Sequence, residues 1–345
     1  MKRFFLGVVA LSILFVPRWA SCENQAEFVA ALTDQAEATY ADGVRAMAVL
    51  LSGNPTVPGF DEAKGLLLGK KVVKKDWKVA PNAPLTKGKL AYMLFKTADL
   101  KPGLGDLLFG LSEKTALEEC YANDLMGKGR GDQKVGEGLQ LVMSFQQVAA
   151  YRDRMKKSRA TDLVSIDLDA PRPGVSAEKM EAQNRLLTAL SAGVRRPDTP
   201  ITPQVKAVRG PVWVRLKDKG WEQAGDGTPV PPGSDLLTGV DAQAQLSFPD
   251  GTVMLLKSLT QLSMISATSG KSSQGTYYVV RAASEFGTVR VKVGTNGFLS
   301  CIQVGSPTSY VTGLEGAFEQ IAAGTISDTI YAGSRGRISV VHGSW

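Results

Sequence analysis

The stretch "VDAQAQLSFPDGTVMLL", Val240–Leu256, decides the class of the C-terminal half of the chain. Before the turn, apolar or small residues alternate with polar ones and share one face: Val240, Ala242, Ala244, Leu246 and Phe248. A period of two is typical of a strand with one buried side. Pro249 presets the turn, and Gly251 tolerates positive φ after it. We predict a β-hairpin that pairs Leu246 and Phe248 with the apolar residues after the turn, Val253 and Leu255.

The same period continues on both sides of this hairpin. "GPVWVRL" precedes it, and "GTVRVKV" follows it with Val289, Val291 and Val293 inward and with Arg290 and Lys292 outward. Short alternating strands separated by Gly/Pro turns indicate an all-β module. We place this β-domain at residues 205–341.

The N-terminal half has a helical period instead. Residues 24–52 are rich in Ala and apolar at helical spacing, and they predict a helical run ended by Gly53. Two further stretches, 61–100 and 116–151, each contain a short helix, a loop and a longer apolar helix with a Gly/Lys-bearing start. We interpret them as a degenerate internal repeat, with Thr86 as the N-cap of one long helix. Together they predict a helical domain over residues 23–195.

A proline-rich linker separates the two halves. Pro197, Pro200 and Pro203 lie within ten residues, and such spacing makes a stiff extended segment. With the linker at residues 196–204, the predicted fold class is α+β multidomain: a helical N-terminal domain followed by an all-β domain.

The first residues predict export. Lys2 and Arg3 precede a 13-residue apolar run, Phe4–Val16, and small residues follow before a polar segment. This is the pattern of a secretory signal peptide, here residues 1–22. The run is shorter than the ~20 residues that span a bilayer, and no later stretch reaches that length. We expect a protein of the periplasm or cell envelope without a transmembrane helix in its mature chain.

Three cysteines leave two questions open. "WASC" before residue 23 is similar to a lipobox, which would make Cys22 a lipidated first residue and anchor the protein in a membrane; ordinary cleavage near Cys22 is the alternative. A Cys120–Cys301 disulfide is conceivable in an oxidising compartment. We favour buried free thiols, because the two residues fall in different predicted domains.

The C-terminal part resembles the FecR domain of bacterial envelope proteins. The matching stretches are "VRGPVWVRLKDKGW", "AGDGTPVPPGSDLLTGVDAQAQLSFPDGTVMLL", "FGTVRVKV" and "VGSPTSYVTGLEGAFEQI". The resemblance implies a β-roll or solenoid-like domain of short strands that binds a partner. The family's "GxRGTxF" lacks its Arg and Thr at 313–318. Known relatives with a sensor role place a membrane helix before the domain, whereas this chain has a signal sequence.

The segment "LTKGKLAYMLFKTADL", residues 85–100, is similar to the end of a surface-layer-homology repeat. Those repeats bind cell-wall polymers. Their "TRAE" tetrapeptide reads "TKGK" here, so Thr86 and Lys87 carry over and the Glu does not.

The sequence offers little for catalysis. Its one histidine, His342, lies at the C-terminus, and no Cys/His spacing suits zinc. The loop "GKGRGDQKVGEG", Gly127–Gly138, lacks the phosphate-loop spacing and a preceding strand. We therefore expect no cofactor, no metal and no enzymatic activity. The alternative is an enzyme that acts on envelope polymer through an unrecognised site of acidic residues.

Lysine is concentrated between Asp61 and Lys101, where ten Lys face four Asp/Glu. Such a surface is either merely solvated or attracts an anionic polymer. We predict that an anionic envelope polymer contacts six lysines and one threonine of this region: Lys70, Lys71, Lys74, Lys75, Thr86, Lys87 and Lys89. The net charge of +7 is too small to favour nucleic acid. The predicted function is thus a non-enzymatic envelope module whose β-domain binds a protein or glycan partner.

Overall fold

The structure, a computed structural model, describes residues 24–101, 110–155, 166–168, 176–193, 197, 199–323, 327–333 and 337–342. All described helices precede residue 192, and all described strands follow residue 198. The helices are α1 (Gln25–Thr33), α2 (Tyr40–Ser52), α3 (Phe60–Gly69), α4 (Lys87–Thr97), α5 (Glu113–Ala122), α6 (Gly138–Met155) and α7 (Ala177–Ser191). This confirms the α+β class and the order of its two parts.

Polar caps set the helix boundaries. Asn24, Thr39 and Ser112 each accept a hydrogen bond from a first-turn backbone N–H, and the residue three positions on bonds back to complete a capping box. Gly53 ends α2 at φ 63°, where a Cβ would be strained. The prediction of one helical run over 24–52 is wrong in detail, because the Thr39 cap starts a new helix after the turn that follows α1.

Three helix–loop–helix units therefore make up the helical part: α1–α2, α3–α4 and α5–α6. Backbone bonds tie the starts of their second helices into a ring. Leu85 N–H donates to Ala38 O (2.9 Å), Val135 N–H to Leu85 O (2.7 Å), and Ala38 N–H to Gly136 O (3.0 Å). The arrangement is a pseudo-threefold bundle with α2, α4 and α6 inside. The sequence showed two repeats, and the structure adds α1–α2 as a third.

The β-region consists of two sheets. Its strands are β1 (Thr199–Pro200), β2 (Gln204–Arg209), β3 (Val212–Arg215), β4 (Trp221–Gln223), β5 (Ser234–Thr238), β6 (Gln243–Ser247), β7 (Val253–Leu256), β8 (Gln261–Ser272), β9 (Gly275–Ala283), β10 (Phe286–Lys292), β11 (Leu299–Gly305), β12 (Ser309–Glu315), β13 (Ala317–Ala323), β14 (Ser327–Ala332) and β15 (Arg337–His342). One sheet runs β15-β12-β11-β9-β8-β5-β3-β4, with β1 on β8, and the other runs β14-β13-β10-β7-β6-β2.

The β6–β7 hairpin exists, but its register differs from the prediction by one residue. Leu246 lies opposite Met254, not Val253 or Leu255. Asp250 accepts hydrogen bonds from the backbone N–H and hydroxyl of Thr252 (3.0 and 2.7 Å), and Phe248 N–H donates to Thr252 O (3.0 Å), so the loop between the paired strands is one position shorter than predicted. Because the side-chain period is two, Met254 and Leu256 then join the main β-core with Leu246. Gly251 has the expected positive φ, 83°.

The two parts share one buried core. Trp213, Leu237 and Phe286 of the β-region belong to the same apolar cluster as the helices of the bundle. At their junction Val240 N–H donates to Gln25 Oε1 (3.0 Å). The predicted linker, residues 196–204, is not free of the β-region, because Thr199–Pro200 within it pairs with β8. α7 packs on the β-region, where its Leu186 contacts the cluster around Tyr277.

Candidate functional site

A cleft of about 810 Å³ lies between the bundle and the β-region. One wall is a face of α6, with Gln140, Met143 and Ser144 on it. The opposite wall comes from the outer strands β13 and β14, including Ile321 and Tyr331. The start of α4 and the loop after α5 close one end. The volume falls in the range of about 300–1,000 Å³ that is usual for ligand sites.

Lys87 lies in the first turn of α4 and is among the residues that line this cleft. Its backbone N–H donates to Gln133 O (2.8 Å), which holds the helix start against the loop before α6. Its ammonium Nζ donates to Lys128 O (2.9 Å), and the residue is 9% exposed. The interpretation of Lys87 as an exposed charge on the polymer-binding surface is therefore wrong, because the loop that carries Lys128 covers it.

The other five predicted lysines share a surface at the end of α3 and the start of α4, which we call the lysine face: Lys70, Lys71, Lys74, Lys75 and Lys89. Lys70, Lys71 and Lys75 are exposed. Lys74 lies over the Tyr92 ring at 4.8 Å from the centroid, and Lys89 lies over Trp77 at 5.7 Å. These cation–π contacts hold two ammonium groups in place beside the three exposed lysines.

Acidic residues do not neutralise this face. Lys89 approaches Glu113 at 3.8 Å, with both side chains partly exposed, and such a pair is weak. Lys70 and Lys75 form no salt bridge with a described residue. The lysine face thus has an excess of positive charge, which Glu113 and Asp76, the latter close enough for its charge to act on Tyr92, offset only in part.

Thr86 has the capping role that the sequence predicts. Its hydroxyl accepts from Lys89 N–H at 3.5 Å, and its backbone has extended geometry. We expect Thr86→Ala to lower the free energy of unfolding by about 1 kcal/mol through the lost cap. Urea denaturation measures this. Thr86→Ser, which keeps the hydroxyl, should stay close to wild type; an equal loss in both variants would contradict the capping role.

Both cysteines in the described residues are free and buried. Burial raises the pKa of Cys120 to about 12 and that of Cys301 to about 11, so the thiols stay protonated at neutral pH. They do not form the disulfide that the sequence left open. Cys22 and the predicted signal peptide lie outside the described residues.

The Gly/Lys loop before α6 points its carbonyls, not its amides, at α4. Gly88 N–H donates to Gly131 O (2.9 Å), and Tyr121 OH donates to Gly129 O (2.6 Å). A cradle of N–H groups for an anion would need the opposite orientation. The loop therefore positions the Lys87 side chain instead.

Glu285, between β9 and β10, lies near two other carboxylates. Burial raises the pKa of Glu285, and the charges of Asp34 and Asp235 raise it further. Asp235 is already held by Arg215 (2.7 Å) and Ser263 (2.6 Å). In the part of the chain that the structure describes, no three His, Cys, Asp or Glu side chains are grouped to hold a metal ion.

Comparison with known proteins gives no relative: no family model, curated protein or solved structure matches the chain. Among the described helices, none has the length and apolar character needed to cross a membrane.

The sequence did not reveal the cleft, because its walls are far apart along the chain. Met143 of α6 and Tyr331 of β14 reach the same space through the packing of the two parts. The sequence of α6 contained one sign of the cleft, because Gln140, Ser144 and Gln147 recur there at helical spacing among mostly apolar residues of its first three turns.

Proposed function

We propose that this protein is a non-enzymatic module of the cell envelope that docks on an anionic surface through its lysine face. The observation that carries the proposal is the lysine face itself, with five ammonium groups around one helix–loop–helix junction and two of them held by aromatic rings. Clustered charge of one sign attracts a polymer or lipid headgroup of the other sign. The signal pattern at the N-terminus supports an exported location.

The β-domain then presents a second surface to a protein or glycan partner. We propose a FecR-like roll for this domain. β9 and β11 are parallel neighbours in one sheet, while β10 between them lies in the other sheet, so the chain wraps around the β-core. Such wrapping supports the resemblance in the sequence motifs.

The docking test replaces the five residues of the lysine face by Gln. We expect sedimentation with purified cell envelopes at low salt to fall at least about tenfold, because each lysine near an anionic surface contributes about 1 kcal/mol. Salt should weaken binding of the unmodified protein in the same way, since the Debye length is ~8 Å at physiological ionic strength.

A matched control removes the same charge elsewhere. The exposed residues Lys114, Lys179, Lys206, Lys217 and Lys219 are spread over other elements. Their joint replacement by Gln should leave sedimentation near the unmodified level. Equal losses in the two variants would show that net charge alone matters, and no loss in either would show that the lysine face is merely solvated.

A further inference from the structure

The three helix starts in the pseudo-threefold bundle differ in chemistry at the equivalent position, two residues after the backbone ring that joins them. The residues at this position are Tyr40, Lys87 and Glu137. Tyr40 is fully buried and packs edge-on against the Phe60 and Trp77 rings, with centroids 6.0 and 6.3 Å away. Glu137 is exposed. Lys87 alone of the three is a buried charged residue, and it is among the residues that line the cleft.

Lys87 lacks a counter-charge in that cleft. The ammonium has one hydrogen bond, to Lys128 O, and forms no ion pair with a described residue. Asp124, on the loop after α5, also lines the cleft but is exposed and makes no salt bridge to Lys87. A buried charge is costly unless it is paired. The cleft is thus complementary to a ligand with one anionic group at this end.

The walls beyond Lys87 suit a peptide. Amide side chains of Asn123, Gln140 and Gln147 provide both donors and acceptors, as a peptide backbone requires. Met126 and Met143 line the same space, and methionine adapts to apolar side chains of varied shape.

The sheet adds a second feature that a peptide would use. β14 is an edge strand of its sheet, and its residues 329, 331 and 332 are exposed. Thr329 and Tyr331 of this strand line the cleft. An extended peptide can add to such an edge through main-chain hydrogen bonds, whereas a glycan cannot. Because no other described strand pairs with the free side of β14, this edge favours a polypeptide over a sugar.

We propose that the cleft binds the C-terminal end of a partner polypeptide, with the terminal carboxylate on Lys87 Nζ and the extended chain beside β14. Charge and hydrogen bonds would fix the end of the chain, and the methionines would accept its last apolar side chain. The site lies apart from the lysine face and does not depend on docking at the envelope.

The test uses the purified protein and N-acetylated pentapeptides ending in Leu, Val, Phe or Ala, each made with a free carboxylate and as the C-terminal amide. Fluorescence anisotropy measures binding. We expect at least one free-acid peptide to bind at least about tenfold tighter than its amide, which is the factor for a hydrogen bond between two charged groups. Lys87→Met should abolish that difference, and Lys96→Met, at an exposed position of the same helix, should preserve it.

Thermal unfolding separates binding from a structural role. Replacing an uncompensated buried cation by an apolar side chain of similar length should leave the melting temperature unchanged or raise it. A clear fall in the melting temperature of Lys87→Met would show that the ammonium serves the fold, and it would overturn the proposal. Equal binding of acid and amide peptides, no peptide binding, or binding of an acidic disaccharide in place of the peptides would overturn it as well.

Discussion

Gly138→Ala is expected to destabilise the helical part by about 3 kcal/mol, the upper end of the usual cost of overpacking. A Cβ at this position would lie 2.0 Å from Leu32 O and 2.9 Å from Leu32 C. These are backbone atoms of α1, and Gly138 N–H itself donates to Gln35 O (2.9 Å), so neither side can move without opening the junction. Chemical denaturation followed by circular dichroism gives the change in the free energy of unfolding.

Gly65→Ala is the matched control in the same bundle. Gly65 lies inside α3, and a Cβ there meets nothing within 4 Å. Alanine in a helix interior is favoured over glycine by up to about 1 kcal/mol, so this variant should be slightly more stable than the unmodified protein. If Gly138→Ala were as stable as Gly65→Ala, α1 and α6 would not be in close contact, and the α1–α2 unit would be placed incorrectly in the bundle.

The α1–α2 unit shows where the periodicity of the sequence no longer identifies separate helices. In the units α3–α4 and α5–α6 a long, lysine-bearing loop separates the two helices, and the repeat is visible in the sequence. In the first unit α1 and α2 are separated by a short turn, and both are apolar. The joined stretch therefore has the period of one helix. The Thr39 cap and Asp42, three residues on, were the local signal of a break.

Thr86 and Lys87 are neighbours in the sequence, and they differ in how well they could be predicted. The Thr86 cap depends on its own helix, so a local rule suffices. The burial of Lys87 depends on Gly131, Gln133 and Lys128, which fold over α4 from more than 40 positions away. Nothing in the sequence around Lys87 distinguishes it from Lys89, which stays partly exposed.

The register of the β6–β7 hairpin could not be predicted from the sequence either. Alternation correctly identified its inward face before the turn, because burial of that face requires the period of two. The register after the turn depends on the Asp250–Thr252 hydrogen bonds, a contact between side chain and backbone inside the loop. A shift of one residue there exchanges the faces of β7, and alternation alone cannot detect it in a strand as apolar as "VMLL".

Glu319→Gln is expected to lower the free energy of unfolding by about 2 to 3 kcal/mol. Glu319 Oε2 lies 2.6 Å from an Arg290 guanidinium nitrogen and 3.4 Å from Lys257 Nζ, and the Glu319 side chain is 11% exposed. Removing its charge leaves two cations together in a half-buried position. Breaking a fully buried pair costs about 3–5 kcal/mol, and the partial exposure of both cations reduces this value.

The matched control for Glu319→Gln is Asp132→Asn, which breaks the Arg130–Asp132 pair, 2.7 Å long. Its side chains are 84% and 69% exposed, so water replaces the lost contact and urea denaturation should detect no change. The two variants make the same chemical change in pairs of similar length, and they differ in burial. A similar midpoint for both would mean that the Glu319 pair is solvated, and that β10 and β13 are held together by their backbone ladder and apolar contacts instead.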